Sequence, residues 1–303
     1  HEHYNTPTIS HLDTLGREFF TVLHDRYPDP TTWTDHFYES YVELDITGNR
    51  IAIYDARGLM PQGYSYTQLN SIVRQVSMDS GTQHMLVDAS GQPLYRWDAD
   101  NRKFRYTYDV LRRQLIKEVT PSGGSAKVLE VTQYGEGVTD DTLHNLRGHM
   151  YKVYDGAGLQ TIHDYDFKKK PLNAIRKYTT HHTTHPDWTT IASVAMETEE
   201  YTTATKYDAL ERLLTVTTPD TGVTSYEYER SGMLFKVRVD DVHSLDTDIV
   251  NEIYYNSKGQ RLKTKYENGA TTTYEYDVKT YRVTRIRTTR SSDSGPQRVN
   301  PCA

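Results

Sequence analysis

The sequence predicts an all-β fold, an antiparallel sheet built from short strands and tight turns. Three observations carry this. Tyr occurs 25 times against 6 Phe and 3 Trp, with Thr runs such as Thr202-Thr203 and Thr271-Thr272-Thr273; both residue types suit a half-buried pleated surface with a wet edge. Tyr-Asp recurs along the chain at Tyr54-Asp55, Tyr108-Asp109, Tyr154-Asp155, Tyr165-Asp166, Tyr207-Asp208 and Tyr276-Asp277. Between these marks the sequence alternates with a period of two, as strands do.

Each mark reads as a turn. Asp or Asn bonds its side chain to the backbone two residues on, and Gly or Asn three residues on accepts positive φ. The strings at Tyr54-Asp55-Ala56-Arg57-Gly58, Trp97-Asp98-Ala99-Asp100-Asn101, Tyr154-Asp155-Gly156-Ala157-Gly158 and Tyr255-Asn256-Ser257-Lys258-Gly259 show the pattern most fully. Weaker copies start at Asp13, Asp45, Asp88 and Tyr228. The spacing between Asp88, Asp98 and Asp109, and between Asp155 and Asp166, leaves room for one strand per turn. Within Val223–Tyr228, Thr224, Tyr226 and Tyr228 share one face; within Ala270–Tyr276, Tyr274 and Tyr276 do so again. The whole chain, 1–303, therefore reads as a single β domain made of a long meander.

Four stretches depart from this rhythm. Residues 29–33 read as a loop and 122–126 as a loose hairpin or an insertion. Residues 139–145 suggest a short helix capped by Thr139 or Asp140. Residues 178–200 carry His181-His182-Thr183-Thr184-His185 and an acidic Glu197-Thr198-Glu199-Glu200, and read as a surface excursion.

Composition narrows the function classes. A net charge of -6 argues against a chain built to neutralise nucleic-acid phosphates. No run of about 18 apolar residues is present, so no membrane-spanning helix is expected, and no secretory signal opens the chain. The single cysteine, Cys302, excludes an intrachain disulfide.

The Tyr-Asp unit resembles the RHS/YD-repeat superfamily, which includes bacterial Rhs proteins, toxin-complex (Tc) components and teneurins. Non-repeat strings sharpen the likeness towards the RHS region of the Tc toxin B component. They are Ser77-Met78-Asp79-Ser80-Gly81, Gly91-Gln92-Pro93-Leu94-Tyr95-Arg96-Trp97-Asp98, Tyr134-Gly135-Glu136-Gly137 with Asn145-Leu146-Arg147-Gly148, Pro186-Asp187-Trp188 and Tyr207-Asp208-Ala209-Leu210-Glu211-Arg212. The resemblance covers nearly the whole chain. It implies a sheet spiralling into a hollow shell, with this chain as a slice of its wall or a small stand-alone relative of it. It also implies partners: the remaining shell components, an enclosed toxic polypeptide and a pore-forming A component reached through parts not contained in these residues. A secreted location follows from the same likeness. The family's propeller, self-cleaving aspartates and variable payload have no counterpart here, so no autoprotease residue is carried over and no cofactor is expected.

The site candidates are therefore mainly structural. Tyr54, Asp55, Gly58, Trp97, Asp98, Tyr108, Asp109, Tyr154, Asp155, Gly158, Tyr165, Asp166, Tyr207, Asp208, Tyr276 and Asp277 are read as repeat residues, the tyrosines packing along a sheet face and the aspartates forming turns. A metal reading attaches to His181, His182 and His185, yet the zinc-protease spacing needs Glu where His182 stands, and Thr183-Thr184-His185-Pro186 is a poor helix. His1 as a mature terminus could clasp copper with His11, His84 or His163. Two other functions compete with the wall: a secreted carbohydrate-binding module using stacked tyrosines, and a secreted copper enzyme using His1.

Overall fold

The expected all-β class is met. A computed structural model describes residues 5–29, 32–240, 247–290 and 300–301. Its only helical element among the described residues is a short 3-10 segment, Trp188–Ser193. The chain divides into two compact units. Unit 1 comprises His1–Val131 with Asp187–Ser193, and unit 2 comprises Thr132–Pro186 with Val194–Ala303.

Unit 1 holds β1 (Ile9–Leu12), β2 (Glu18–Asp29), β3 (Thr32–Leu44), β4 (Arg50–Tyr54), β5 (Gln62–Tyr66), β6 (Ile72–Ser77), β7 (Gly81–Val87), β8 (Pro93–Trp97), β9 (Lys103–Tyr108), β10 (Gln114–Thr120) and the start of β11 (Lys127–Tyr134). Each strand pairs antiparallel with the next, from β1 to β11. Few side chains are buried here: Ala52, Val128 and Trp188 are the buried apolar ones among the described residues. Trp188 enters from the excursion. Asp187 beside it accepts the Val128 N–H at 3.0 Å, and Thr189 closes the same carboxylate.

Unit 2 holds β12 (Met150–Tyr154), β13 (Gly158–Tyr165), β14 (Pro171–Tyr178), β15 (Tyr201–Tyr207), β16 (Leu213–Thr217), β17 (Val223–Tyr228), β18 (Leu234–Asp240), β19 (Thr247–Tyr255), β20 (Arg261–Tyr266), β21 (Ala270–Tyr276), β22 (Val283–Arg290) and β23 (Asn300–Pro301). From β12 onward it is again an unbroken antiparallel meander. Its apolar centre is Leu146 with Ile162 and Tyr165, against which Val138, Tyr151 and Ala174 pack. Close packing makes Gly135 a steric necessity there, since a Cβ would lie 2.4 Å from Leu146 Cβ and 2.5 Å from its carbonyl oxygen.

Two expectations need correcting. The stretch 29–33 is not a free loop: Asp29 pairs with Thr32 and Pro28 with Trp33, so β2 and β3 run in register almost to the hairpin tip. The helix over 139–145 does not form. Asp140 (φ 58) and Asn145 (φ 52) are left-handed, which breaks a helical run, and the backbone folds into successive turns through bonds such as Leu146 N–H to Asp141 carbonyl at 2.8 Å. The Asn145 amide and the Tyr165 N–H, bonding to Tyr165 and His144 carbonyls, tie this segment to β13. The hairpin at 122–126 does join β10 to β11. The 178–200 stretch lies between β14 and β15, with one bridge, Thr179 to Met196, and with Trp188 as its buried anchor.

Candidate functional site

The repeated turn is the feature that recurs with fixed chemistry. At Asp109 the N–H donates to the Arg113 carbonyl (2.9 Å), and the Arg112 N–H returns to the Asp109 carbonyl (3.0 Å). The carboxylate then takes the Leu111 and Arg113 N–H groups on Oδ1, at 2.9 and 2.8 Å, and the Arg113 Nε on Oδ2, at 2.6 Å. Asp208 repeats this with Leu210 and Arg212, Asp98 with Asp100 and Arg102, and Asp13 with Leu15 and Arg17. Asp55 uses Arg57 in place of a later arginine, and Asp166 takes the N–H groups of Lys168 and Lys170. The residue three after the opening one has positive φ at each: Gly16, Gly58, Asn101, Arg112, Lys169 and Glu211. This is the hairpin turn in which a left-handed residue follows a tight bend, whose twist suits paired strands.

Asp155 and Asp277 depart from it. Asp155 bonds Ala157 and Gly158 N–H groups and also holds the Arg176 guanidinium, and Gly158, at φ 146, passes so close to β14 that a Cβ would meet the Lys177 carbonyl at 2.2 Å. Asp277 closes a turn one residue longer, with Tyr281 at φ 58.

The tyrosines before the turns end strands, and several reach back. Tyr108 donates its hydroxyl to the Pro93 carbonyl (2.6 Å), Tyr165 to Met150 (2.7 Å) and Tyr276 to Arg261 (2.8 Å); Tyr66, Tyr228 and Tyr255 do the same. Each such bond satisfies a backbone oxygen at the start of the preceding strand. Tyr54 stacks on Tyr41 at 4.3 Å, Trp97 on Tyr95 at 5.8 Å, and Tyr154 is buried at the end of β12. Tyr207 ends β15 opposite Leu213. Alternate turns also bond one another. Arg112 holds the Asp88 carboxylate and Ser90 Oγ while Gln92 donates to the Arg112 carbonyl; Lys168 reaches Ala209 and Glu211; Gln260 donates to the Tyr281 carbonyl.

The electrostatics follow. The Thr47 hydroxyl, then the Asn49 amide and backbone N–H groups, hold Asp45 down at about 2. Arg57 lowers Asp55, and the Ser90 hydroxyl lowers Asp88. At Asp109 and Asp208 partial burial is the strongest influence and pushes upward, but the backbone N–H and side chain of the following arginine together outweigh it, and both titrate below the ordinary range. Burial pushes the Tyr165 hydroxyl up to about 12. The carboxylates are filled by backbone N–H groups and side-chain donors, so this arrangement orders the turn backbone.

The histidines do not converge. His181, His182 and His185 are exposed; His182 faces Glu197 at 3.6 Å and His185 Nδ1 lies 2.9 Å from the Pro186 carbonyl. Among the described residues no three His, Cys, Asp or Glu side chains form a metal-binding group. His1 lies outside the described residues. No helix among them is long and apolar enough to cross a membrane.

Two signals were missed in the sequence. The arginine four residues after Asp is spelled out at Asp13/Arg17, Asp98/Arg102, Asp109/Arg113 and Asp208/Arg212, and a comparison of spacings finds it. The tyrosine hydroxyl bonds had no local signal, because their acceptors lie a strand away.

Comparison with known proteins accords with the resemblance. No protein-family model matches the chain. Toxin subunit YenC2 of Yersinia entomophaga is 26% identical over 311 residues, covering 94% of this chain and 32% of the relative. Toxin subunit YenC1 of the same organism is 24% identical, covering 95% and 31%. The chain thus spans about a third of the curated relatives it matches. The crystal structure of TcdB2-TccC3 superposes with a TM-score of 0.82 at 22% identity, over 97% of this chain and 15% of that one. The Photorhabdus luminescens Tc holotoxin pore structure also gives 0.82, at 21% identity, over 97% and 14%. The fold is shared with these structures, and the sequence likeness is to toxin subunits.

Proposed function

We propose that this chain is a segment of shell wall in a secreted, Tc-toxin-like assembly that encloses a toxic polypeptide and helps to deliver it. The observation that carries the reading is the turn network on an otherwise thinly buried sheet. Tyr, Thr and charged side chains alternate along the strands with scattered exposed apolar ones, and regular turns rather than a large apolar core fix their positions. Such a mixed surface would give an unfolded chain many hydrogen-bond partners. The repeat residues named above would be structural in this role, and the chain would do no chemistry of its own. The curated relatives are named as C subunits, while the sequence strings resemble a B component; the proposal is of wall common to the two. Its partners would be the remaining shell components, the enclosed polypeptide and, through other parts of the assembly, a pore-forming component.

Protease protection tests this. In the assembly purified from its natural source, the enclosed polypeptide should survive protease concentrations that degrade it once the assembly is unfolded in urea. Equal cleavage before and after unfolding would reject enclosure.

A second reading, carbohydrate binding, draws on stacked rings such as the exposed Tyr27 with the half-buried His36, whose centroids lie 4.0 Å apart. A glycan array showing no binding at high protein concentration discards it.

A further inference from the structure

In an antiparallel meander alternate turns fall on the same edge of the sheet. In unit 1 the short turns opened by Asp13, Asp45, Thr67, Asp88 and Asp109 therefore share one edge. At their centres stand Leu15, Ile46, Leu69, Ala89 and the pair Val110-Leu111. All are exposed, Ile46 and Val110 at 97%. The short turns of the opposite edge carry Ala56-Arg57, Asp79-Ser80, Ala99-Asp100 and Ser122-Gly123 at the same places, with Leu59, Met60 and Met78 exposed beside them. Turn centres are ordinarily polar. Large apolar side chains aligned along one edge, rather than scattered singly, mark an interaction surface.

The row is regular and stiff. Two strands separate successive tips, which places them about 10 Å apart. Gly48 of the second turn lies so close to Arg17 of the first that a Cβ would stand 2.9 Å from the guanidinium. The Asn49 amide donates to Asn70 Oδ1 at 2.9 Å, joining the second turn to the third. Arg112 bonds Asp88 and Ser90, joining the fourth to the fifth. Between the third and fourth lies an open groove of about 470 Å³, lined by Leu69, Val87 and Ala89 together with Thr67, Ser71 and Ser90.

We propose that this apolar tip row is a docking surface for a second row of repeat turns, supplied by shell lying outside residues 1–303. The inference rests on the wall reading. Two facts select this occupant. The first is pitch: a row built from the same repeat also places its tips about 10 Å apart, so its side chains fall between these and into the groove, whereas a lipid surface or an irregular protein face has no such period. The repeat does supply apolar tips beyond this edge. In unit 2 the turns opened by Asp166, Asp208 and Asp277 present exposed Phe167, Leu210 and Val278 at their centres. The second fact is length: the toxin subunits that this chain matches are about three times as long, so in such a protein about two thirds of the polypeptide is available to supply the row.

Hydroxyl-radical footprinting reads the tips directly. In the natural full-length product or assembly, Ile46, Leu69 and Val110 should oxidise at least about tenfold more slowly than in the 303-residue chain alone, held dilute enough to be monomeric by light scattering. Equal rates overturn the proposal. The pair Ile46→Asp and Val110→Asp should restore fast oxidation at Leu69 while leaving the urea midpoint of the chain alone unchanged. The pair Ala56→Asp and Ser122→Asp, on the opposite edge, should leave Leu69 protected; equal effects of the two pairs overturn the proposal. A photoreactive side chain in place of Ile46 should cross-link to a repeat turn outside these residues. Cross-links to a second copy of this edge, to the enclosed polypeptide or to lipid name another occupant and overturn it. A particle that encloses its payload while the tips stay reactive rejects the docking row alone. One that protects the tips without enclosing a payload rejects the wall reading and leaves the docking row standing.

Discussion

Unit 1 and unit 2 use the same turn but differ in what lies behind it. Among the described residues, the buried apolar side chains of unit 1 are Ala52, Val128 and Trp188, and those of unit 2 are Leu146, Tyr154, Ile162, Tyr165, Ile253 and Ala270. Unit 1 therefore depends more on turns and cross-strand contacts, whereas unit 2 adds a packed node where residues 135–149 fold against β13. The difference teaches that this sheet does not need an apolar core to set its register. Carboxylate-filled turns do so locally, and burial is added at the node around Leu146 and at single strand positions such as Ile253 and Ala270.

The largest expected effect falls where backbone meets backbone in unit 2. Gly158→Ala would place a Cβ 2.2 Å from the Lys177 carbonyl at a φ of 146, and should cost about 4 kcal/mol in urea unfolding, as overpacking and backbone strain combine. A change below about 1 kcal/mol would mean that β13 and β14 yield easily there. Next, Leu146→Ala empties the centre of the node, with Leu146 2% exposed, and should cost about 3 kcal/mol; an unchanged midpoint would remove the contrast between the units.

Thr221→Gly should go the other way. Thr221 sits at φ 70, where a β-branched residue is strained, and glycine should stabilise the protein by about 1 kcal/mol in the same assay.

The turn aspartates give the gentlest effect, read through pH. The folded pKa values of Asp13, Asp45, Asp55, Asp88, Asp98, Asp109, Asp208 and Asp277 lie below the unfolded value of about 3.9, so the stability they contribute is complete above that value. It is lost as pH falls from about 4, reaching the Asp45 carboxyl near 2. Thermal midpoints should therefore hold steady from pH 7 to about 4.5 and drop below it, and Asp45→Ala should flatten the drop. Tyr165 has the opposite sign: its raised pKa, about 12, adds stability below the unfolded value of about 10 that is lost as pH rises from there through 12.

Much of this was legible because the turn is local chemistry. Asp109 followed by bonded N–H groups at 111 and 113 needs only its own neighbours, and Asp-x-x-Gly announces it. Arg112, Lys169 and Glu211 at positive φ were not legible, since the strands force the third turn position left-handed whatever residue fills it. The absent helix at 139–145 has a similar cause: bonds from Asn145 and Tyr165 to β13 and His144 fix turns where local propensity offered a cap. The burial of Leu146 depends on Ile162 and Tyr165, which lie beyond the next strand in sequence. The repeat tyrosines were placed on strands readily, but their reach to carbonyls such as Pro93 and Met150 required the neighbouring strand to be in view.

Electron microscopy of the natural full-length product or assembly bears most directly on the wall. The account predicts a particle with an internal void lined by this sheet. A solid particle, with this segment packed on both faces and no enclosed space, would contradict it.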